Sequence, residues 1–165
     1  MSITPAPTAA PETPEASTGG AAEPAKPSNP GGVGEAASLT GDAKTGKHIY
    51  DQNCITCHGD QGLGGQSNPG STDGTVPPVS PIDSTLKNSD YKKFVANLDL
   101  FIEHGSTPEG PNPILIVPAW GDKKLLTPQQ IVDVIAHMIS LNKVTRNLPP
   151  DAGDFWYKLR QLKTP

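Results

Sequence analysis

The sequence predicts an all-α domain held between two flanking segments of different character. Three observations point there. Three stretches carry apolar residues at helical spacing with capping residues at their ends, the stretches between them are rich in Gly and Pro, and no strand pattern surrounds the only two cysteines. The boundaries fall at 1–40 for an arm or linker, 41–144 for the domain, and 145–165 for a tail.

The arm contains seven prolines, no aromatic residue, and only Ile3, Val33 and Leu39 as large aliphatics. Such a segment cannot bury enough apolar surface to offset its ordering entropy, so it is expected to be disordered when alone. The first helix runs from about Asp42, a natural N-cap, to Cys54. Ala43, Gly46, Ile49, Tyr50 and Asn53 recur on one face, with Gly46 allowing close approach of a neighbour. Residues 59–83 follow as a long irregular loop, which is uncommon in a compact domain and is usually functional or flexible. Wrapping a large flat cofactor is one reason to have it. Ser89-Asp90 opens the second helix. Its buried stripe is Tyr91, Phe94, Val95, Leu98, Phe101 and Ile102, and Gly105 stops it. The last helix has Thr127 at its N-cap, Pro128 at its first position and Gln130 completing a capping box. Ile131, Val134, Ile135, Met138 and Leu141 form its apolar stripe. After Asn142 the pattern breaks. The tail combines Phe155, Trp156 and Tyr157 with Lys158, Arg160 and Lys163, as docking and membrane-surface segments do.

Charge and hydropathy exclude some roles. The net charge is −4, which argues against a nucleic-acid partner, since phosphate binding needs a basic face. No run approaches the roughly 20 apolar residues of a membrane span. The first residues show no basic head followed by an apolar stretch, so no signal or anchor is visible in this sequence.

The chemistry is concentrated in Cys54-Ile55-Thr56-Cys57-His58. A C-x-x-C-H string reads as an attachment site for c-type haem. Each thiol adds across one vinyl group, and His58 then lies under the iron as its proximal ligand. Two other chemistries use paired cysteines. A redox C-x-x-C would open a helix after a strand, and no strand pattern precedes this one. Structural zinc needs about four ligands, and no second cysteine pair follows.

With these residues the chain resembles a class I c-type cytochrome over residues 41–144. The Gly46…Tyr50 helix, CITCHGDQGLGG, Pro-Ala-Trp-Gly and Leu-Thr-Pro-Gln-Gln-Ile come in that family's order. The resemblance implies a small fold of three to five helices around one covalent haem c with its iron. It also implies that the Gly46/Tyr50 face meets the last helix at Ile135 and His137 or Ile139. Tyr50, Val117, Pro118 and Trp120 are expected around the haem. The family transfers single electrons and is not enzymatic in the acid–base sense.

One departure matters. The family carries a methionine, the sixth iron ligand, just before Pro-Ala-Trp-Gly; here that position is Val117. Three outcomes stay open. Met138, the only methionine besides Met1, is the first candidate, with core filling as its ordinary role. His104 is the second, although a histidine at a helix C-terminus usually serves the dipole. A vacant site roofed by Ile114-Leu115-Ile116-Val117 is the third. His48 and His137 are not favoured. The expected function is therefore single-electron transfer. The alternative is a gas-binding or peroxidatic haem protein with an open distal side. The arm and tail suggest a subunit of, or a protein docked to, a membrane redox complex. In layout this resembles the monohaem cytochrome subunits of quinol-oxidising assemblies such as alternative complex III. Redox proteins are the expected partners, and covalent haem attachment implies the periplasmic or extracytoplasmic face of a membrane.

Overall fold

The structure, a computed structural model, describes residues 27–29 and 31–146. Among these residues the regular elements are four α-helices and two short 3₁₀ turns, with no strand beyond two isolated bridges. Helix α1 spans Ala43–Asn53, α2 Ile55–His58, α3 Tyr91–His104 and α4 Pro128–Arg146; the 3₁₀ turns are Glu35–Ser38 and Ser84–Leu86.

The helices start where their side chains can take up free backbone N–H groups. The Asp42 carboxylate accepts from Thr45 N at 2.6 Å. Asp90 accepts from Lys92 N and Lys93 N. At α4 the capping box closes in both directions: Gln130 N donates to Thr127 Oγ1 at 3.3 Å, and Thr127 N donates to Gln130 Oε1 at 2.9 Å. Gly105, at φ 70°, ends α3 in a conformation that other residues adopt with strain.

The central contact is α1 against α4. At one end Gly46 lies so close to the Asp133 carbonyl that a Cβ there would overlap its oxygen. One turn further on, the Tyr50 and His137 rings meet edge to face, with centroids 5.1 Å apart and planes at 63°. The expected meeting of the Gly46/Tyr50 face with the last helix is therefore present, and His137 is the ring that Tyr50 meets. Ile131, Val132, Val134 and Ile135 of α4 fill the core beside it, joined by Ile49, Tyr50, Val95 and Leu98.

Three sequence expectations are corrected. Folded structure begins before residue 41. Ala36 is fully buried, Gly34 N donates to Asp99 Oδ2, and Gln129 Nε2 donates to Thr40 O. A single small apolar residue in a Gly- and Pro-rich segment gives no periodic signal, so the boundary at residue 40 falls too late. Tyr91 is 51% exposed; it continues the apolar stripe of α3 but lies beyond the edge of the core. Helix α4 continues past Asn142 to Arg146. The earlier part of the arm and the docking tail after 146 lie outside the described residues. No described helix is long and apolar enough to cross a membrane.

Candidate haem site

Cys54 terminates α1, and α2 turns immediately after it. Cys57 N and His58 N both donate to Cys54 O, at 3.2 and 3.0 Å. This single turn brings Cys54, Cys57 and His58 to the wall of one cavity of about 300 Å³. Pro77, Val79 and Ile82 close the cavity from the long loop. Leu98, Phe101 and Ile102 come from α3. Val117, Pro118 and Trp120 come from the loop before α4, and Val134 and Met138 from α4 itself. Tyr50 also lines it.

The titratable groups are tuned for this setting. His58 Nδ1 lies 3.2 Å from Pro77 O. A carbonyl can only accept, so Nδ1 carries the proton and the Nε2 lone pair is left for a metal. Burial holds His58 below the usual histidine range, so the ring is neutral as a ligand must be. Burial, with Cys57 beside it, pushes the Cys54 thiol up to about 12. A redox or zinc-binding cysteine needs the opposite shift. A turn presenting two sulfurs and an imidazole to a broad hydrocarbon-walled cavity fits a covalently attached haem. Cys54 and Cys57 would hold its edges and His58 its iron.

Long-range side-chain hydrogen bonds fix the cavity walls. Tyr50 Oη donates to Gly59 O at 2.8 Å, tying α1 to the chain just after His58. Asn68 is fully buried. Its Oδ1 accepts from Ile114 N and Leu115 N, and its Nδ2 donates to Leu115 O. Asn142 Oδ1 accepts from Ile82 N, while its Nδ2 donates to Val79 O and Met138 O. Val117 exchanges both backbone hydrogen bonds with Ser106, and Trp120 N donates to Ile102 O. Sequence reasoning missed Asn68, Pro77 and Asn142. In a Gly- and Pro-rich loop Asn68 and Pro77 read as turn residues, Asn142 reads as the polar end of an apolar helix stripe, and nothing local names their distant partners.

The distal candidates separate. Val117 lines the cavity and offers hydrocarbon only. Met138 also lines it, at 9% exposure. Ile116 lines the cavity with Val117, but Ile114 does not and is 66% exposed, so the expected roof is shorter than the four-residue run. His104 does not line the cavity. Its Nδ1 lies 2.9 Å from Asp122 Oδ2 and its Nε2 2.7 Å from Gly32 O. With both nitrogens engaged on the arm side of α3, His104 is not placed as an iron ligand, and that expectation is corrected.

A family model described as cytochrome C oxidase, cbb3-type, subunit III matches residues 41–138, more than half of the chain. No curated protein and no solved structure matches it.

Proposed function

Because the chain belongs to this family of c-type cytochrome domains, and so is a class I c-type cytochrome carrying haem c, we propose that it relays single electrons between redox partners as a subunit of, or docked to, a membrane redox complex at its extracytoplasmic face. The observation that carries this reading is the His58–Pro77 contact at the wall of an apolar cavity that Cys54 and Cys57 share. Bound haem c supplies a one-electron couple whose potential is set by axial ligands, burial and hydrogen bonding. The chain's residues do the rest. Cys54 and Cys57 fix the orientation of the ring, and Pro77 fixes the tautomer of His58. The hydrocarbon of Leu98, Phe101, Val117 and Pro118 keeps water away. The partners engage outside the cavity, with the basic aromatic tail as the docking segment.

Met138 Sδ is the proposed distal ligand, since Met138 is the cavity-lining residue with a free soft donor outside the CITCH turn. The second reading, an open sixth position that admits a small neutral ligand, is favoured by Val117 standing at the cavity wall. One experiment separates them. The reduced holoprotein is titrated with carbon monoxide beside Met138→Ala. A wild-type spectrum that does not change, with Met138→Ala becoming sensitive to the gas, supports the relay with methionine ligation. Immediate carbon monoxide binding by wild type overturns that ligation and supports the open site. The docking proposal is tested by co-purification: removal of residues 147–165 is expected to release the protein from its membrane partner, and full retention would sink it.

A further inference from the structure

Helix α3 has a second side that the haem site does not use. Leu98, Phe101 and Ile102 line the cavity, whereas Asp99 and Glu103 do not. These two carboxyl groups are one helical turn apart and share a face. Asp99 is fully buried; its Oδ2 accepts from Gly34 N at 2.6 Å, and its Oδ1 has no hydrogen-bond partner among the described residues. A Cβ at Gly34 would stand 3.0 Å from Glu103 Oε2 and 3.1 Å from Asp99 Oδ2. The two carboxyl groups thus approach one point beneath the arm. Gly121 also presses on Glu103, where a Cβ would overlap the carboxylate.

Among the described residues the favourable charge near the pair is His104, which lowers the proton affinity of both groups, and burial together with the neighbouring carboxylates outweighs it. The arm brings Glu35 near Glu103, and the loop after Trp120 brings Asp122. From α3 comes His104, whose ring is held between Asp122 and Gly32. On α4, Asp133 is turned away to Asp42 N and Gln129 Nε2. Among the described residues the ion pairs are Lys47–Asp51 and His104–Asp122, so no described Lys or Arg pairs with Asp99 or Glu103. Both also lie in the C-terminal half of α3, where the helix dipole disfavours anions. Two carboxylates in such a place cannot both ionise cheaply.

We propose that Asp99 and Glu103 form a one-proton site beneath the arm, and that its proton affinity rises when the haem on the other side of α3 is reduced. This rests on the electron-transfer reading above. The balance is simple. One electron arrives from the reducing partner and one proton from solvent binds the carboxylate pair; on oxidation both leave. A charge held in the cavity and the charge on the pair would lie on opposite sides of α3, at least a helix diameter of roughly 10–12 Å apart. Salt screens this interaction little, because the intervening space is protein. Interaction across that distance changes proton affinity by about tenfold. Burial raises Asp99 above the ordinary carboxylate range, and burial followed by the charges of Asp99 and Asp122 raises Glu103.

The test is the midpoint potential of the holoprotein, measured by optical redox titration across mildly acidic to alkaline pH. Wild type, Asp99→Asn, Glu103→Gln and the double variant are compared. The wild-type potential is expected to fall as pH rises past the ordinary carboxylate range, by about 59 mV in all for a tenfold affinity ratio. The double variant is expected to lose that step. Superimposable curves for wild type and the double variant overturn the proposal, because any shared pH dependence then belongs to other groups. If Asp99→Asn does not fold, the reduced-minus-oxidised infrared difference spectrum of wild type decides. A protonated carboxyl band gained on reduction supports the site, and its absence overturns it. Failure to titrate as a reversible one-electron couple would instead sink the electron-transfer reading.

Discussion

His137 shows how much one side chain can carry at a helix crossing. Its ring packs edge to face on Tyr50, yet its Nε2 is buried without a hydrogen-bond partner. The shape is used and the polarity is not. Burial holds its pKa below the usual value. The unfolded chain therefore binds a proton at higher pH than the folded one. The stability that depends on a neutral His137 is fully present above about pH 6.5 and is lost as pH falls below it. Phenylalanine keeps an aromatic ring and removes the unpaired nitrogen. His137→Phe is expected to raise the stability of the holoprotein by about 1 kcal/mol at neutral pH, and by more at pH 5. Thermal melts at the two pH values read this directly. A variant that loses as much melting temperature on acidification as wild type would show that His137 is not the group responsible.

At the scale of elements, the α1–α4 crossing holds the CITCH turn against the cavity, and Gly46 sets its closeness. Alanine there would drive a methyl group into the Asp133 carbonyl, and backbone cannot rotate out of the way as a side chain can. Gly46→Ala is therefore expected to cost about 1–3 kcal/mol despite alanine's better helix propensity, and to lower the yield of haem-loaded protein. Chemical denaturation of the purified holoprotein checks it; an unchanged midpoint would mean the helices separate freely. This crossing was largely legible in the sequence, because caps and apolar spacing are local signals. Asp42, Thr127, Gln130 and Gly105 each act on residues within a turn or two. The CITCH turn was legible for the same reason. The loops were not. Asn68 bonds Leu115, 47 residues away, and Asn142 bonds Ile82, 60 residues away. No local pattern encodes such a pairing. His104 failed for a related reason: its partners, Gly32 and Asp122, lie on either side of it in sequence, and Gly32 sits in a segment that composition marks as unfolded.

Across the whole molecule, the arm and the distal loop are joined through that same histidine. Gly32 O and Asp122 hold the two nitrogens of the His104 ring, Gly31 packs against its face, and Asn29 Nδ2 donates to its carbonyl. Thr107 N adds a bond to Ser28 Oγ at 2.6 Å. Asp122 follows Trp120 and Gly121, whose backbone N–H groups bond the carbonyls of Ile102 and Glu103. The strap is thus continuous with a wall of the haem cavity. The Gly32 carbonyl, then Asp122, raises the His104 pKa above its ordinary value. Stabilisation from the charged ring is fully present below about pH 6.5, the unfolded value. It is lost as pH rises through the higher folded value. Asp99, raised by burial, makes stability fall with rising pH in the same direction. Comparison of wild type with His104→Gln therefore isolates the histidine. From neutral to mildly alkaline pH the Gly34 amide, which donates to Asp99, is expected to lose hydrogen-exchange protection in wild type once intrinsic rates are corrected. In His104→Gln, protection is expected to be lower at neutral pH and less dependent on pH than in wild type. Equal slopes in the two proteins would separate the arm from the His104 charge and leave the strap held by its uncharged contacts alone.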